Sequence, residues 1–465
     1  MECLDVAVPC PRRAPGETPA PRWGALLSPP PPPAAPRPPL RVALAGIGVV
    51  GGGVVRLLEA NRELIARRAG RPIEIVAVSA RDRHKDRGID LSAYRWEDDM
   101  EALVAAGDVD VVVEMIGGAD GSALTLARHA LGAGKALVTA NKAMIAHHGL
   151  GLAQLAEAKD TPLKYEAAVA GGIPVIKAIR EGASANQIAR VYGILNGTCN
   201  YILTRMERDG ASFADALAAA QAEGYAEADP TFDVDGIDAA HKLSILAALC
   251  FGTRLDIGAV TAAGIRNLIA ADIREAEALG HRVRLIGMAE RDGTGLYQHV
   301  QPCLVPADHP LAYVPGALNA VVAEGNFVGR LFFEGAGAGA GPTASAIVAD
   351  IIDIARDEYG PAFAMPVDAL DAAPVADAGA RVGKHYVRLI VEDRIGVLAE
   401  IATAMRDAGV SIESFIQRGT GENDGVVIVL VTHEGPARAI EAALATLAAS
   451  DHIVGTPMRM PILAL

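Results

Sequence analysis

The stretch that most restricts how this chain can fold is RVALAGIGVVGGGVVRLLEA, residues 41–60. An apolar run enters Gly46, Gly48 and Gly51, spaced G-x-G-x-x-G, and an apolar helical pattern follows from Val54. Glycines so placed allow a tight turn and let backbone N–H groups at a helix N-terminus approach a pyrophosphate. The spacing alone is weak, because a glycine turn without a ligand looks the same. Its surroundings strengthen it. EIVAVSA from Glu74, DVVVEMIGG from Asp110 and ALVTA from Ala136 read as further strands, with helical ALTLARHALGAG between the last two. Strands alternating with helices imply a parallel, doubly wound α/β sheet.

In such a sheet the second strand ends in an acid when a ribose 2′-hydroxyl is gripped. Here it ends Val78-Ser79-Ala80-Arg81, with Lys85 close behind and no acid before Asp82. A guanidinium where a carboxylate is missing favours a 2′-phosphate, hence NADP, with NAD the alternative. Arg81 and Lys85 could equally be solvated loop charges.

The 465 residues suffice for two to four domains at roughly 100–200 residues each. A hydrophobic share of 51% excludes wholesale disorder. A formal net charge of −14 argues against nucleic acid or an anionic membrane as the main partner. No apolar run reaches the ~18 residues of a membrane span. Cys3, Cys10, Cys199, Cys250 and Cys303 show no C-x-x-C spacing, which makes the reducing cytoplasm the default compartment.

Residues 1–39 stand apart. Met1 to Leu40 holds 13 of the 28 prolines, and proline favours an extended, unpacked chain. A disordered tail is expected there; a start upstream of the true initiation codon would read identically, and a secretory leader fits poorly. The expected organisation continues with a nucleotide-binding domain over 40–165, completed by about 331–360. A second domain, for substrate and dimerisation, spans 166–330. A linker follows over 371–383, where large apolar residues are scarce, and then a module over 384–465. That module reads strand, helix, two hairpin strands, helix, strand, a small ferredoxin-like βαββαβ unit. No internal repeat is evident.

The richest chemistry lies in GYAEADPTFDVDGIDAAHK, residues 224–242. Glu227, Asp229, Asp233 and Asp235 crowd a turn held by Pro230, and Asp235 is placed to cap the helix that follows. In that helix Asp238 and Lys242 stand four residues apart on one face. An exposed pair of that kind contributes only about 0.3–0.5 kcal/mol and needs no function. The dense acids favour more, since they repel one another unless something cationic, such as a substrate ammonium, joins them. A partly buried Lys242 beside a nicotinamide could exchange a proton with an alcohol. His241 should point about 100° away around the helix.

These segments resemble homoserine dehydrogenases of the form that carries a C-terminal ACT domain. The resemblance runs from about Leu40 to the C-terminus. It rests on GIGVVGGGVV, EMIGG, TANKA around Lys142, YEAAVAGGIPVI from Tyr165, GILNGTCNYIL from Gly193, the acidic turn with its helix, and GAGAGPTASA from Gly337, all in the same order. It implies a Rossmann-type domain, an α+β substrate and dimerisation domain, and an ACT domain. It implies NAD(P)-linked interconversion of L-aspartate 4-semialdehyde and L-homoserine, on the route to threonine, methionine and isoleucine, by a homodimer or homotetramer.

Carried over by position, the resemblance makes Lys242 the general acid/base and Lys142 a residue between cofactor and substrate. Glu227 and Asp238 become substrate acids, with Asp233 in support. Gly46, Gly48, Val49, Val50 and Gly51, with Gly117, Lys142, Gly224, Glu227 and Gly339, fall on the cofactor side. Glu166, Val169, Gly171 and Ile173 match a segment holding a monovalent cation, commonly Na+. Only Glu166 offers a side chain there, and carbonyl oxygens suit a hard ion. Asp393, Gly396, Val397 and Leu398 match an amino-acid effector loop, with threonine the expected effector, although some ACT modules only dimerise. Aldehyde–alcohol interconversion needs no covalent nucleophile, and Cys199 has no evident partner base. The reading from another class is a catalytically silent sensor of dinucleotide and amino acid. Lys142, Glu227, Asp238 and Lys242 weigh against it, because a sensor needs no proton relay.

Overall fold

The computed structural model describes residues 37–420 and 425–464. The proline-rich tail, with Cys3 and Cys10, lies outside them. The first sheet has six parallel strands: β1 (Leu40–Ala45), β2 (Ile73–Ser79), β3 (Arg95–Trp96), β4 (Val111–Glu114), β5 (Ala136–Thr139) and β6 (Leu163–Lys164). Their order is β3-β2-β1-β4-β5-β6. Strands such as VVVE and ALVT are buried residue for residue, because helices cover both faces of a parallel sheet. The order reverses between β1 and β4, and the glycine turn sits at that switch point.

The helix expected from Val54 begins earlier and breaks. It runs Val49–Ala60, stops at Asn61 (φ −111°, ψ 19°) and resumes over Arg62–Ala69. Asparagine leaves helical geometry readily, and the break lets Ile65 and Ala69 reach the core. Helix Ala340–Arg356 returns to pack on Val49–Ala60, placing Ala344, Ile347 and Ile351 in one core with Val42, Leu44 and Val54. A Cβ on Gly53 would lie 2.5 Å from the Ala340 carbonyl, so only glycine allows this approach.

The second sheet comprises β7 (Ile188–Ile194), β8 (Thr261–Ala262), β9 (His281–Arg291), β10 (Leu296–Pro306), β11 (Leu318–Gly325) and β12 (Gly329–Ala336). Their order is β12-β11-β7-β9-β10-β8, antiparallel except for the parallel pair β8–β10. Helix Ile237–Phe251 lies against β7, β9 and β10, and all of its residues from Asp238 to Leu249 are buried. An all-round buried helix must satisfy its polar side chains internally.

Residues 371–383 are short of large side chains but are stitched down by backbone hydrogen bonds. Arg254 donates to the Asp371 carbonyl, and Leu296 to that of Pro374. The segment ends in β13 (Val382–Gly383). Then come β14 (His385–Val391), helix Val397–Asp407, β15 (Ile412–Thr420), β16 (Val426–Thr432), β17 (Gly435–Pro436, paired with β13), helix Ala437–Ala448 and β18 (Met458–Pro461). The antiparallel order β15-β16-β14-β18 is the expected ferredoxin-like arrangement. The module docks through buried charge. Arg388 Nε and Tyr386 Oη donate to Asp272 Oδ1 at 2.8 and 3.0 Å.

Candidate active site

The glycine turn is shaped by close approach. Gly46 has φ +98°, and a Cβ there would lie 2.6 Å from the Met115 carbonyl. A Cβ on Gly51 would overlap the Gly46 carbonyl. Gly48, at the start of helix Val49–Ala60, faces open space, as does Gly117 with φ +89°. Val49 is exposed and Val50 half-buried beside them. Opposite the turn, the buried Glu114 carboxylate accepts from the Ile116 and Gly117 N–H groups at 2.7 and 3.1 Å and from Thr139 Oγ1 at 2.5 Å. Asn141 donates to the Gly118 carbonyl and caps the next helix at Met144 N–H. The loop after β4 and the helix that begins at Lys142 are thus fixed together.

At the end of β2, Arg81 and Lys85 are exposed. Asp82 is exposed as well, and its carboxylate accepts from the His84 N–H at 2.8 Å. Arg87 ties this loop to the glycine turn through the Ile47 carbonyl. Arg83 and Arg87 lie 5.8 and 5.7 Å from the Trp96 ring centre.

The pair read from the acidic segment is a buried one. Lys242 Nζ donates to Asp238 Oδ2 and to the Leu195 carbonyl, both at 2.7 Å. Lys142 Nζ stands 3.1 Å from Asp238 Oδ1 and 5.8 Å from the Phe232 ring centre. Asp238 is 4% exposed and Lys242 8%. Burial opposes ionisation of Asp238, but Lys242 and Lys142 outweigh it and hold the carboxyl well below its ordinary range. Asn196 Nδ2 donates to both Asp233 Oδ1 (2.7 Å) and Asp238 Oδ2 (2.8 Å). Burial, reinforced by the Asp238 charge, raises Asp233. His241 points aside, edge-on to His147 and Phe232, and burial with His147 pushes it down to about 4.

Other residues expected at the site stand differently. Glu227 is exposed and its carboxylate takes no hydrogen bond among the described residues; Gly224, with φ +79°, lies in the same open turn. Asp235 does not cap the helix. Gly236, in left-handed geometry at φ +83°, occupies that position, while Asp235 pairs with Arg266 at 2.5 Å. Gly339, with φ +122°, starts helix Ala340–Arg356.

Glu166 is buried and accepts from the Ile176 and Lys177 N–H groups. Burial and then Asp350 push its carboxyl up to about 7. The chain turns sharply after Val169, with φ +55° at Ala170 and +44° at Gly171, and the Ile173 carbonyl accepts from Val175. In the terminal module Gly396 has φ +101° at the start of helix Val397–Asp407. Val397 is buried, and Asp393 and Leu398 are exposed. Cys199 is buried, its thiol donates to the Asp233 carbonyl, and burial raises it well above the ordinary thiol range, which makes Cys199 itself a poor nucleophile.

Sequence reasoning missed three groups. Asn196 joins the two aspartates, Asn319 Nδ2 holds the Leu195 carbonyl at 2.9 Å, and Glu114 orders the loop after β4. The segment GILNGTCNYIL contains Asn196, and EMIGG contains Glu114. Only the tertiary fold reveals their partners.

A doubly wound sheet with this glycine turn, facing a buried lysine–aspartate cluster, defines a nicotinamide-nucleotide-linked oxidoreductase acting on a CH–OH group. The family model for the homoserine dehydrogenase NAD-binding domain matches residues 46–166, that for homoserine dehydrogenase 174–352, and that for the ACT domain 385–449. The chain belongs to the homoserine dehydrogenase family. The homoserine dehydrogenase of Pseudomonas aeruginosa is 44% identical over 91% of this chain and 99% of that protein. The crystal structure of a homoserine dehydrogenase from Thiobacillus denitrificans is 41% identical, with a TM-score of 0.85 over 91% of this chain and 98% of that one. A hyperthermophilic archaeal homoserine dehydrogenase in complex with NADPH is 26% identical, with a TM-score of 0.60 over 70% and 99%. Among the described residues no helix is long and apolar enough to cross a membrane.

Proposed function

We propose that this protein interconverts L-aspartate 4-semialdehyde and L-homoserine, with Lys242 as proton donor in the reducing direction. The observation that carries this reading is the geometry of the Lys242 ammonium. Two of its three N–H donors are taken by Asp238 and the Leu195 carbonyl, so one is left for substrate. Lys242 gives its proton to the carbonyl oxygen of the aldehyde as that oxygen becomes an alcohol, and is reprotonated from solvent. Asp238 keeps Lys242 in place and, with Lys142, orients the substrate's polar end. Asp233 supports them through Asn196. Glu227, exposed on the facing turn, would reach the substrate ammonium or the cofactor only if that turn closes over the site.

A nicotinamide nucleotide, when bound, supplies the hydride. The glycine turn fits one: Gly48, Val49, Val50 and Gly51 place backbone N–H groups at a helix start, while Gly46, whose own N–H is held by the Ser79 carbonyl, gives the turn its close approach. Gly117, Gly224, Gly339 and Lys142 would complete the cofactor side. Arg81 and Lys85, exposed at the end of β2 where an acid would grip a ribose 2′-hydroxyl, favour NADP over NAD. Glu166, Val169, Gly171 and Ile173 would hold a monovalent cation, Na+ by preference. The Val169 and Gly171 carbonyls take no hydrogen bond from any described residue, which suits such an ion.

The loop Asp393–Leu398 would bind an amino-acid effector, threonine first among candidates, at the N–H groups exposed beyond Gly396. Pairing through the second domain into a dimer or tetramer would cover the exposed Phe327 and Val328. A cytoplasmic location agrees with the free thiols of Cys199, Cys250 and Cys303. The test is oxidation of NADPH, against NADH, with aspartate semialdehyde. Turnover by the wild type that is lost in Lys242→Ala is expected, and equal rates would refute the assignment.

A further inference from the structure

A cavity of about 90 Å³ lies between β9 and β10, the segment around Arg381, and the strand leading from Arg459 to Ala464. It shares no residue with the lysine–aspartate cluster or with the Asp393–Leu398 loop. Ile286, Ile462 and Leu463 give it an apolar wall. Its polar side is cationic. The Arg381 guanidinium lies 4.4 Å from the Tyr297 ring centre, and His299 stacks on the same ring at 4.2 Å.

Arg381 gives Nη2 to Glu290 at 2.6 Å, and Arg459 pairs with Glu441 at 3.1 Å. Each guanidinium has five N–H donors, so most remain available. The His299 and His385 rings have no hydrogen-bond partner among the described residues. Burial foremost, and then the charges of Arg381 and Arg459 at His299 and of Arg459 at His385, push both imidazoles down to about 4.

We propose that this cavity is an effector site for a small carboxylate with a short hydrocarbon body, separate from the ACT loop. Arg381 and Arg459 would hold the carboxylate, His299 or His385 would donate to it, and the isoleucine–leucine wall would take the hydrocarbon. The walls come from both the second sheet and the ACT module, so a bound carboxylate would favour one placement of the module against the catalytic core.

The test titrates isobutyrate, and isobutanol as its neutral isostere, into the full chain labelled at histidine. Affinity is followed by calorimetry and ring shifts by NMR. Isobutyrate is expected to move the His299 and His385 signals, and isobutanol to leave them in place. Arg381→Gln should weaken binding about tenfold or more, and Ala464→Phe, filling one end of the cavity, should abolish it. Absent shifts, an equal response to isobutanol, or unchanged affinity in a folded Arg381→Gln protein would overturn the proposal. Should Arg381→Gln fail to fold, retained binding in Ala464→Phe overturns it instead.

Discussion

Replacing Lys242 with methionine keeps most of the side chain's volume and removes its charge and its proton. The Leu195 carbonyl would retain Asn319 at 2.9 Å, and Asp238 would retain Lys142 at 3.1 Å and Asn196 at 2.8 Å. Asp238 is therefore not stranded. The stability cost should be about 1–3 kcal/mol, as for a lost charged hydrogen bond, below the ~3–5 kcal/mol of a buried charge left alone. Catalysis should suffer far more, with kcat falling roughly 100- to 10,000-fold for a missing general acid. KM should change much less, because the proton moves only in the transition state. Lys242→Arg separates the proton from the charge. Arginine can pair with Asp238 but does not release a proton near neutral pH, so that variant should fold well and still be slow. Steady-state rates and urea midpoints measured on both variants decide the matter. A kcat within about threefold of wild type in either variant would refute the proton relay.

Asp238→Asn leaves two ammonium groups around one neutral amide, and should raise KM for the semialdehyde as well as lower kcat, seen in the same assay. Arg388→Met strands the fully buried Asp272 with only Tyr386 and the Ile269 N–H, and should cost about 3–5 kcal/mol by urea denaturation. The double change with Asp272→Leu should recover most of that loss. His385 is 5% exposed, and its folded-state pKa near 4 lies below the unfolded value. The unfolded chain therefore takes the proton first. The resulting stability is present above about pH 6.5 and is lost as pH falls toward 4, by roughly 2–3 kcal/mol. His385→Gln should flatten that slope in pH-dependent thermal melts. Glu114→Gln keeps the size but weakens three hydrogen bonds that order the loop after β4, and should loosen NADPH binding several-fold by fluorescence titration.

Features carried by local pattern were readable from the sequence. The glycine turn lies within one strand–helix junction, Asp238 and Lys242 share one helical face, and the terminal module declares itself by the order of its strands and helices. What could not be read depends on chain folding back. Asn196 meets Asp238 across 42 residues, and Asn319 meets Leu195 across 124. No local pattern encodes such distances. Asp235 looked like a cap because acids favour that position, yet Gly236 took the left-handed geometry the turn requires and left Asp235 to Arg266. Glu227 looked equal to the other acids of its segment, but only Asp233 and Asp238 face Asn196.

The most direct measurement follows the label from NADPH deuterated at the transferable position of its nicotinamide ring. Incubation with L-aspartate 4-semialdehyde should yield L-homoserine carrying one deuterium at carbon 4 by mass spectrometry, in quantity from the wild type and scarcely at all from Lys242→Met. Unlabelled homoserine, or no homoserine, from folded wild-type protein would contradict the account.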